Sequence, residues 1–125
     1  MGQRYLIDTN VLIDFQVRII PPSGQAFIAD IIDESFVVSF INYIEYLVYE
    51  HVTEDMLYFI SLATVIETNK LIIDQTIAIR KAYKIKLPDA IVAATALVNN
   101  LTLVSRNTKD FHKIQGLTIL NPYSL

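Results

Sequence analysis

Short apolar, β-rich runs alternate with stretches of helical periodicity along the whole chain, and that alternation leaves few folds open. Arg4 to Ile7 reads as a first strand ending at Asp8, with Thr9-Asn10 offering a cap for a helix over Val11 to Phe15. Pro21-Pro22-Ser23-Gly24 is a loop, and Ser23 can cap a helix over Gln25 to Asp33, where Phe27, Ile28, Ile31 and Ile32 recur at helical spacing. Phe36 to Phe40 reads as a second strand, followed by a helix over Asn42 to Val52 with Ile44, Leu47 and Val48 on one face. Thr53-Glu54-Asp55 opens another helix to about Leu62, and Thr64 to Ile66 is a third strand. Ile73 to Tyr83 reads as a helix with Ile77 and Ala78 inside. Leu87-Pro88-Asp89 opens the most apolar one, Ala90 to Val98, since proline suits a first helical turn. Asn99-Asn100 ends it, Leu101 to Val104 is a fourth strand, Asn107 to Phe111 a short helical turn, and Leu117 to Leu120 a last strand. Strands alternating with helices predict an α/β fold: a three-layer α/β/α sandwich around a central, mainly parallel twisted sheet.

With 125 residues, the chain is expected to form a single domain over 1–125. Its 53% hydrophobic content, 18% charged content and mean hydropathy of +0.40 argue for a real core and against disorder. The apolar fraction is high for so small a domain, which leaves apolar surface for a partner. No segment is long and apolar enough to span a membrane: Ala90 to Ser105 is interrupted by Asn99 and Asn100. No signal-peptide layout precedes the first strand, and cysteine is absent. That absence excludes disulfides, thiolate zinc sites and cysteine nucleophiles, and with the missing signal it fits a cytoplasmic protein. The net charge of −3 means that any nucleic acid must be held by a metal or by a local basic patch. Arg80, Lys81, Lys84 and Lys86, just ahead of Asp89, form the candidate nucleic-acid-binding patch; its ordinary reading is a solvated helix face.

Asp8, Glu45, Asp89 and Asp110 each stand where a strand ends or a helix begins. An open parallel sheet collects ligands at the carboxyl ends of its strands, so folding can bring all four acids to one edge. Gathered there, they call for a cation, and hard oxygen donors select Mg²⁺ or Mn²⁺. A metal held by carboxylates with open coordination positions suits phosphodiester hydrolysis.

Each acid also has an ordinary reading. Asp8 can cap the next helix, with Thr9 and Asn10 beside it. Glu45 lies among Phe40, Ile41, Ile44 and Leu47, where a carboxylate needs a partner if buried. Asp89 can complement its helix dipole, and Asn107 with Asp110 has the spacing of a capping pair. Singly, each is more simply structural. Four together at successive element ends point to a site. Glu50, by contrast, reads as an ordinary solvent residue before His51.

Three stretches are similar to the PIN-domain family, and within it to the small ribonuclease toxins of VapBC toxin–antitoxin pairs. They are Leu6-Ile7-Asp8-Thr9-Asn10-Val11-Leu12; Val38-Ser39 with Glu45-Tyr46-Leu47; and Leu87-Pro88-Asp89-Ala90-Ile91-Val92-Ala93-Ala94-Thr95-Ala96 with Leu103-Val104-Ser105-Arg106-Asn107 and Asp110-Phe111. The resemblance implies that Asp8, Glu45, Asp89 and Asp110 are catalytic metal-site acids, with Thr9, Ser105 and Asn107 in support. It also implies an RNA substrate, a cognate antitoxin that blocks the site, and a homodimer. Ser105 stands where threonine is frequent in the family, and Glu50 where a small residue is common.

The expected activity is that of a Mg²⁺- or Mn²⁺-dependent endoribonuclease. Asp8 and Asp89 are the expected direct ligands, Glu45 orients or deprotonates water, and Asp110 binds directly or through water. The alternative is a non-catalytic module of the same fold acting through protein contacts. A phosphotransferase with Asp8 as nucleophile fits less well, because Asn10 stands where a second acid is wanted and no glycine-rich loop is present. Tyr43, Tyr46, Leu47, Tyr49, Leu57, Tyr58 and Phe59 are expected to form a hydrophobic groove for the antitoxin, with a separate apolar face for the dimer.

Overall fold

The computed structural model describes residues 3–125. Five strands, β1 (Tyr5–Ile7), β2 (Val37–Ser39), β3 (Thr64–Ile66), β4 (Thr102–Val104) and β5 (Ile119–Leu120), are interleaved with seven helices. The helices are α1 (Thr9–Gln16), α2 (Pro22–Glu34), α3 (Phe40–Leu47), α4 (Glu54–Ser61), α5 (Lys70–Ala82), α6 (Leu87–Val98) and α7 (Thr108–Phe111), and a 3-10 turn, Pro122–Ser124, follows β5. Every ladder is parallel, with Leu6 opposite Leu103, Leu103 opposite Ile119, and Val38 opposite Val65. β2 lies against β1, so the two sheets run across the molecule in the order β3-β2-β1-β4-β5. The strand order reverses direction at β1 and β4, the place where such folds open a crevice.

Neighbouring residues of the inner strands feed opposite cores, because side chains alternate across a strand. Leu6, Val37 and Leu103 join the core under α5 and α6, with Ile72, Ile79 and Ala93. Ile7, Val38 and Val104 join the core under α1 to α4, with Leu12, Ile28, Tyr46 and Ile60. These two cores are the two interfaces of the three-layer sandwich the sequence predicts.

The differences lie at caps and in helix faces. Asp8, not Thr9 or Asn10, caps α1. Ser23 lies inside α2, which begins at Pro22 without a side-chain cap. Asn42 lies within the first turn of α3, whose cap is Ser39, and α3 ends at Leu47 rather than Val52. α5 starts at Lys70 because Asn69 accepts a bond from the Ile72 amide. Its inner face is Ile72, Thr76 and Ile79, so Ile77 and Ala78 face outward. Tyr46, placed on an exposed groove by its sequence context, is fully buried among Ile7, Val11 and Phe59, and burial pushes its phenol up to about 12. Asn100 takes a left-handed φ of 54° at the end of α6, a conformation asparagine tolerates well.

The 3-10 turn packs on α2, and a Cβ at Gly24 would overlap the Pro122 carbonyl oxygen. Gly24→Ala is therefore expected to cost about 1–3 kcal/mol, the usual range for overpacking a close contact. Urea denaturation checks this; an unchanged midpoint would show that the turn shifts at no cost.

Candidate functional site

β1 delivers Asp8 to the switch point. Its backbone amide donates to the Val104 carbonyl of β4 at 2.9 Å, so the strand ladder fixes where the carboxylate emerges. Both oxygens then accept hydrogen bonds: Oδ1 from the Thr9 amide at 2.9 Å and from Asn42 Nδ2 at 3.1 Å, Oδ2 from the Ser105 hydroxyl at 2.8 Å. A carboxylate has about four lone-pair sites, so Oδ2 keeps one for a cation. Burial raises the Asp8 carboxyl above its ordinary pKa, and the bonds from Ser105, Thr9 and Asn42 pull the other way.

The partners of Asp8 are themselves held. Ser39, the last residue of β2, caps α3 in a reciprocal box: its hydroxyl accepts from the Asn42 amide at 3.0 Å and donates to Asn42 Oδ1 at 2.7 Å. That leaves the Asn42 side-chain amide to donate to Asp8 and, at 3.0 Å, to the Thr9 hydroxyl. The Thr9 hydroxyl in turn donates to Glu45 Oε1 at 2.7 Å. Glu45, one turn into α3, is therefore not a buried acid seeking a partner but an exposed one aimed by a threonine. On the other side, Ser105 accepts from the Asn107 amide at 3.0 Å, and the Asn107 side chain donates to Asp110 at 3.1 Å. Asn107 caps no backbone amide of α7 with its side chain, so the expected capping pair is instead a direct contact between the two side chains.

Asp89 stands half-buried in the first turn of α6, after Pro88. Its carboxyl is raised by burial first, then by the negative fields of Asp8, Glu45 and Asp110, with Lys86 partly offsetting them. All three of those acids thus lie near enough to Asp89 for their charge to act on it. Asp8, Glu45 and Asp89 line one cavity of about 380 Å³ together with Thr9 and Asn107, while Asp110 reaches it through Asn107. A larger cavity of about 520 Å³, beside Tyr5 and Phe27, holds none of these groups. Among the described residues, no three Asp, Glu or His side chains are closed up tightly enough to hold a metal ion by themselves. The donor set nevertheless fits a hard cation: all oxygen, all carboxylate, and mutually repulsive without one.

Of the basic patch, Lys86 is close enough to act on Asp89, whereas Arg80 and Lys81 lie exposed in the last turn of α5, where cations complement the helix dipole. Lys84 is exposed and its carbonyl accepts from Lys113. Glu50 is exposed, as an ordinary solvent residue would be. Sequence reasoning passed over Asn42, the hub of the network. The signal was present, as Ser39 and Asn42 have capping-box spacing.

A PIN domain family model matches residues 5–117. Among solved structures, a toxin–antitoxin complex from Klebsiella pneumoniae contains a chain that is 32% identical; the match covers 95% of this chain and 98% of that one, with a TM-score of 0.76. FitAcB from Neisseria gonorrhoeae is 24% identical over 97% of this chain and 99% of that one, at a TM-score of 0.77. VapBC2 from Rickettsia felis, bound to a DNA fragment from its promoter, is 22% identical over 95% and 98%, at 0.76. The latter two bear on the fold alone. No curated protein matches the chain.

Proposed function

Because the chain belongs to the PIN-domain family, we propose that it is a Mg²⁺- or Mn²⁺-dependent endoribonuclease and the toxin of a toxin–antitoxin pair. The observation that supports the reading is that Asp8, Glu45 and Asp89 line one crevice with Asp110 joined to it through Asn107, while Thr9 and Ser105 bond to Glu45 and Asp8. Asp8 and Asp89 hold the cation, with Asp110 contributing directly or through water; Mg²⁺ commonly keeps several waters and needs few protein ligands. Bound there, the ion supplies Lewis acidity at the scissile phosphate and lowers the pKa of water. Glu45, exposed and steered by the Thr9 hydroxyl, is the group placed to take the proton of the attacking water. The buried Ser39–Asn42 pair keeps Asp8 and Thr9 from drifting when the charge in the crevice changes. The cations Arg80, Lys81, Lys84 and Lys86 contribute to the grip on RNA.

Two apolar surfaces support the partners. On α3, α4 and the residues that end them, Ile44, Val48, Tyr58 and Leu62 are exposed, Val48 at 73% and Tyr58 at 69%. This is the surface we assign to the antitoxin, with Tyr58 in it and Tyr46 excluded by burial. On α5 and α6, Ile73, Ile77 and Leu87 border an apolar groove floored by Ile72 and Ile91, the surface we assign to a homodimer. Among the described residues, no helix is long and apolar enough to cross a membrane.

Incubating the protein with single-stranded RNA, with Mn²⁺ and with EDTA, tests the activity. Cleavage that appears with the metal and vanishes with the chelator is the expected result. RNA left intact under both conditions, by protein that still binds an antitoxin peptide, would favour the non-catalytic binding module.

A further inference from the structure

We propose that Arg106 is a phosphate-contacting residue on the rim of the acidic crevice, and that Asp14 and Tyr123 are positioning residues that hold it out of the crevice. The inference rests on the nuclease reading above and deepens it, since it says how a backbone phosphate of RNA is received at a site built from acids.

Arg106 lies between Ser105, which donates to Asp8, and Asn107, which lines the cavity. A flexible guanidinium on a residue flanked by two members of the acid network has an electrostatic reason to fold in among the carboxylates. It does not. Its Nη1 lies 3.4 Å from Asp14 Oδ2, and its central carbon lies 5.3 Å from the centroid of the Tyr123 ring. The Tyr123 hydroxyl donates to the same Asp14 oxygen, so carboxylate, phenol and guanidinium form one clamp. Burial and the Asp14 bond both raise the Tyr123 phenol, which keeps its proton available for that bond.

The clamp is asymmetric. The Asp14 side chain is 14% exposed, and that of Arg106 is 55% exposed. Arg106 thus has one anchored edge and an open one, and guanidinium carries five N–H donors, most of which remain for an incoming ligand. Phosphate is the oxyanion that a guanidinium fork fits best in an RNA chain. The net charge of −3 and the acids of the crevice repel RNA, so a fixed cation at the rim gives the backbone a place to land. Tyr123 belongs to the 3-10 turn seated over Gly24, so the packing of that turn on α2 fixes where its ring and hydroxyl stand.

Two readouts other than cleavage test this: Mn²⁺ binding by calorimetry without RNA, and binding of a short single-stranded RNA in EDTA across a salt series. Arg106→Ala should weaken RNA binding several-fold and flatten the slope of log Kd against log salt by about 0.7, the value for one phosphate on a single strand. Its Mn²⁺ affinity should equal or exceed that of wild type. Arg106→Lys should restore the slope, which counts charge, while recovering only part of the affinity, because lysine lacks the fork. Asp14→Asn should release Arg106 into the crevice and weaken Mn²⁺ binding several-fold, because a guanidinium among the carboxylates competes with the metal for their charge. Adding Arg106→Ala to Asp14→Asn should bring Mn²⁺ binding back.

An Arg106→Ala protein with the wild-type salt slope overturns the phosphate contact. Asp14→Asn with wild-type Mn²⁺ affinity overturns the clamp. Arg106 is exposed, so its variants carry the test even if Asp14→Asn fails to fold. Wild-type protein that binds neither Mn²⁺ nor RNA overturns the nuclease reading as well. Binding of both with an inert Arg106 overturns this inference alone.

Discussion

Asp89→Asn should lower metal-dependent RNA cleavage by more than about a hundredfold, the upper bound for residues that only support a ligand. The same variant should make the metal-free protein more stable at neutral pH. Asp89 is raised in the folded protein by burial and by Asp8, Glu45 and Asp110. A carboxyl whose folded pKa lies above its unfolded value binds more protons when folded, so stability falls as pH rises through that interval. The penalty is absent below the ordinary value of 3.8 and fully present above the folded one. Urea midpoints in EDTA should therefore rise for Asp89→Asn at neutral pH and match wild type below that ordinary value. A variant that cleaves at the wild-type rate, or that loses stability at neutral pH, would place the repulsion elsewhere. Asp8→Asn is the less clean experiment. The Asp8 carboxyl is also raised, yet its oxygens accept three hydrogen bonds, and an asparagine amide would turn a donor toward Asn42 and Thr9 or toward Ser105. Relief of charge then competes with lost acceptors, so no gain in stability is expected of Asp8→Asn.

Asn42→Ala is expected to be among the most destabilising single changes at this site. Asn42 is fully buried and closes the box with Ser39 while donating to both Asp8 and Thr9. Alanine leaves the Ser39 hydroxyl without its acceptor and strips one donor from Asp8. Leaving buried groups unpaired costs about 1–3 kcal/mol each, so a loss of about 2–6 kcal/mol is expected in urea denaturation. Cleavage should fall about 10- to 100-fold even under conditions where the variant is fully folded, because Asp8 and Thr9, and through Thr9 also Glu45, lose their orientation. A midpoint close to wild type would mean that the Ser39–Asn42 pair is replaceable by water.

The parts of this structure that repeat along the chain were legible in its sequence. Thr64 to Ile66 is a strand at the expected bounds; Asp8 and Asp89 stand at element ends, and they line one cavity with Glu45, which lies within α3 rather than at its start. The parts decided by distant contacts were not. Asn42 meets Asp8 across 34 positions of sequence, and no local pattern reports that meeting. α3 has a clear apolar side centred on Ile44, yet Ile44 and Val48 face solvent while Tyr46 turns inward with the polar Asn42, so periodicity pointed to the wrong face. α5 posed a similar difficulty: Ile72, Ile73, Ile77 and Ile79 share the helix, and only packing against α6 selects Ile72 and Ile79 for the core. The clamp of Asp14, Arg106 and Tyr123 joins three segments that carry no shared motif.

The central claim is that the four acids hold a catalytic cation. Crystals grown with Mn²⁺ and measured at the manganese absorption edge test it most directly. The expected result is an anomalous peak in the crevice bounded by Asp8, Glu45 and Asp89, lost in the Asp89→Asn protein. Full manganese loading with no peak in that crevice, or a peak bound only elsewhere on the molecule, would contradict it.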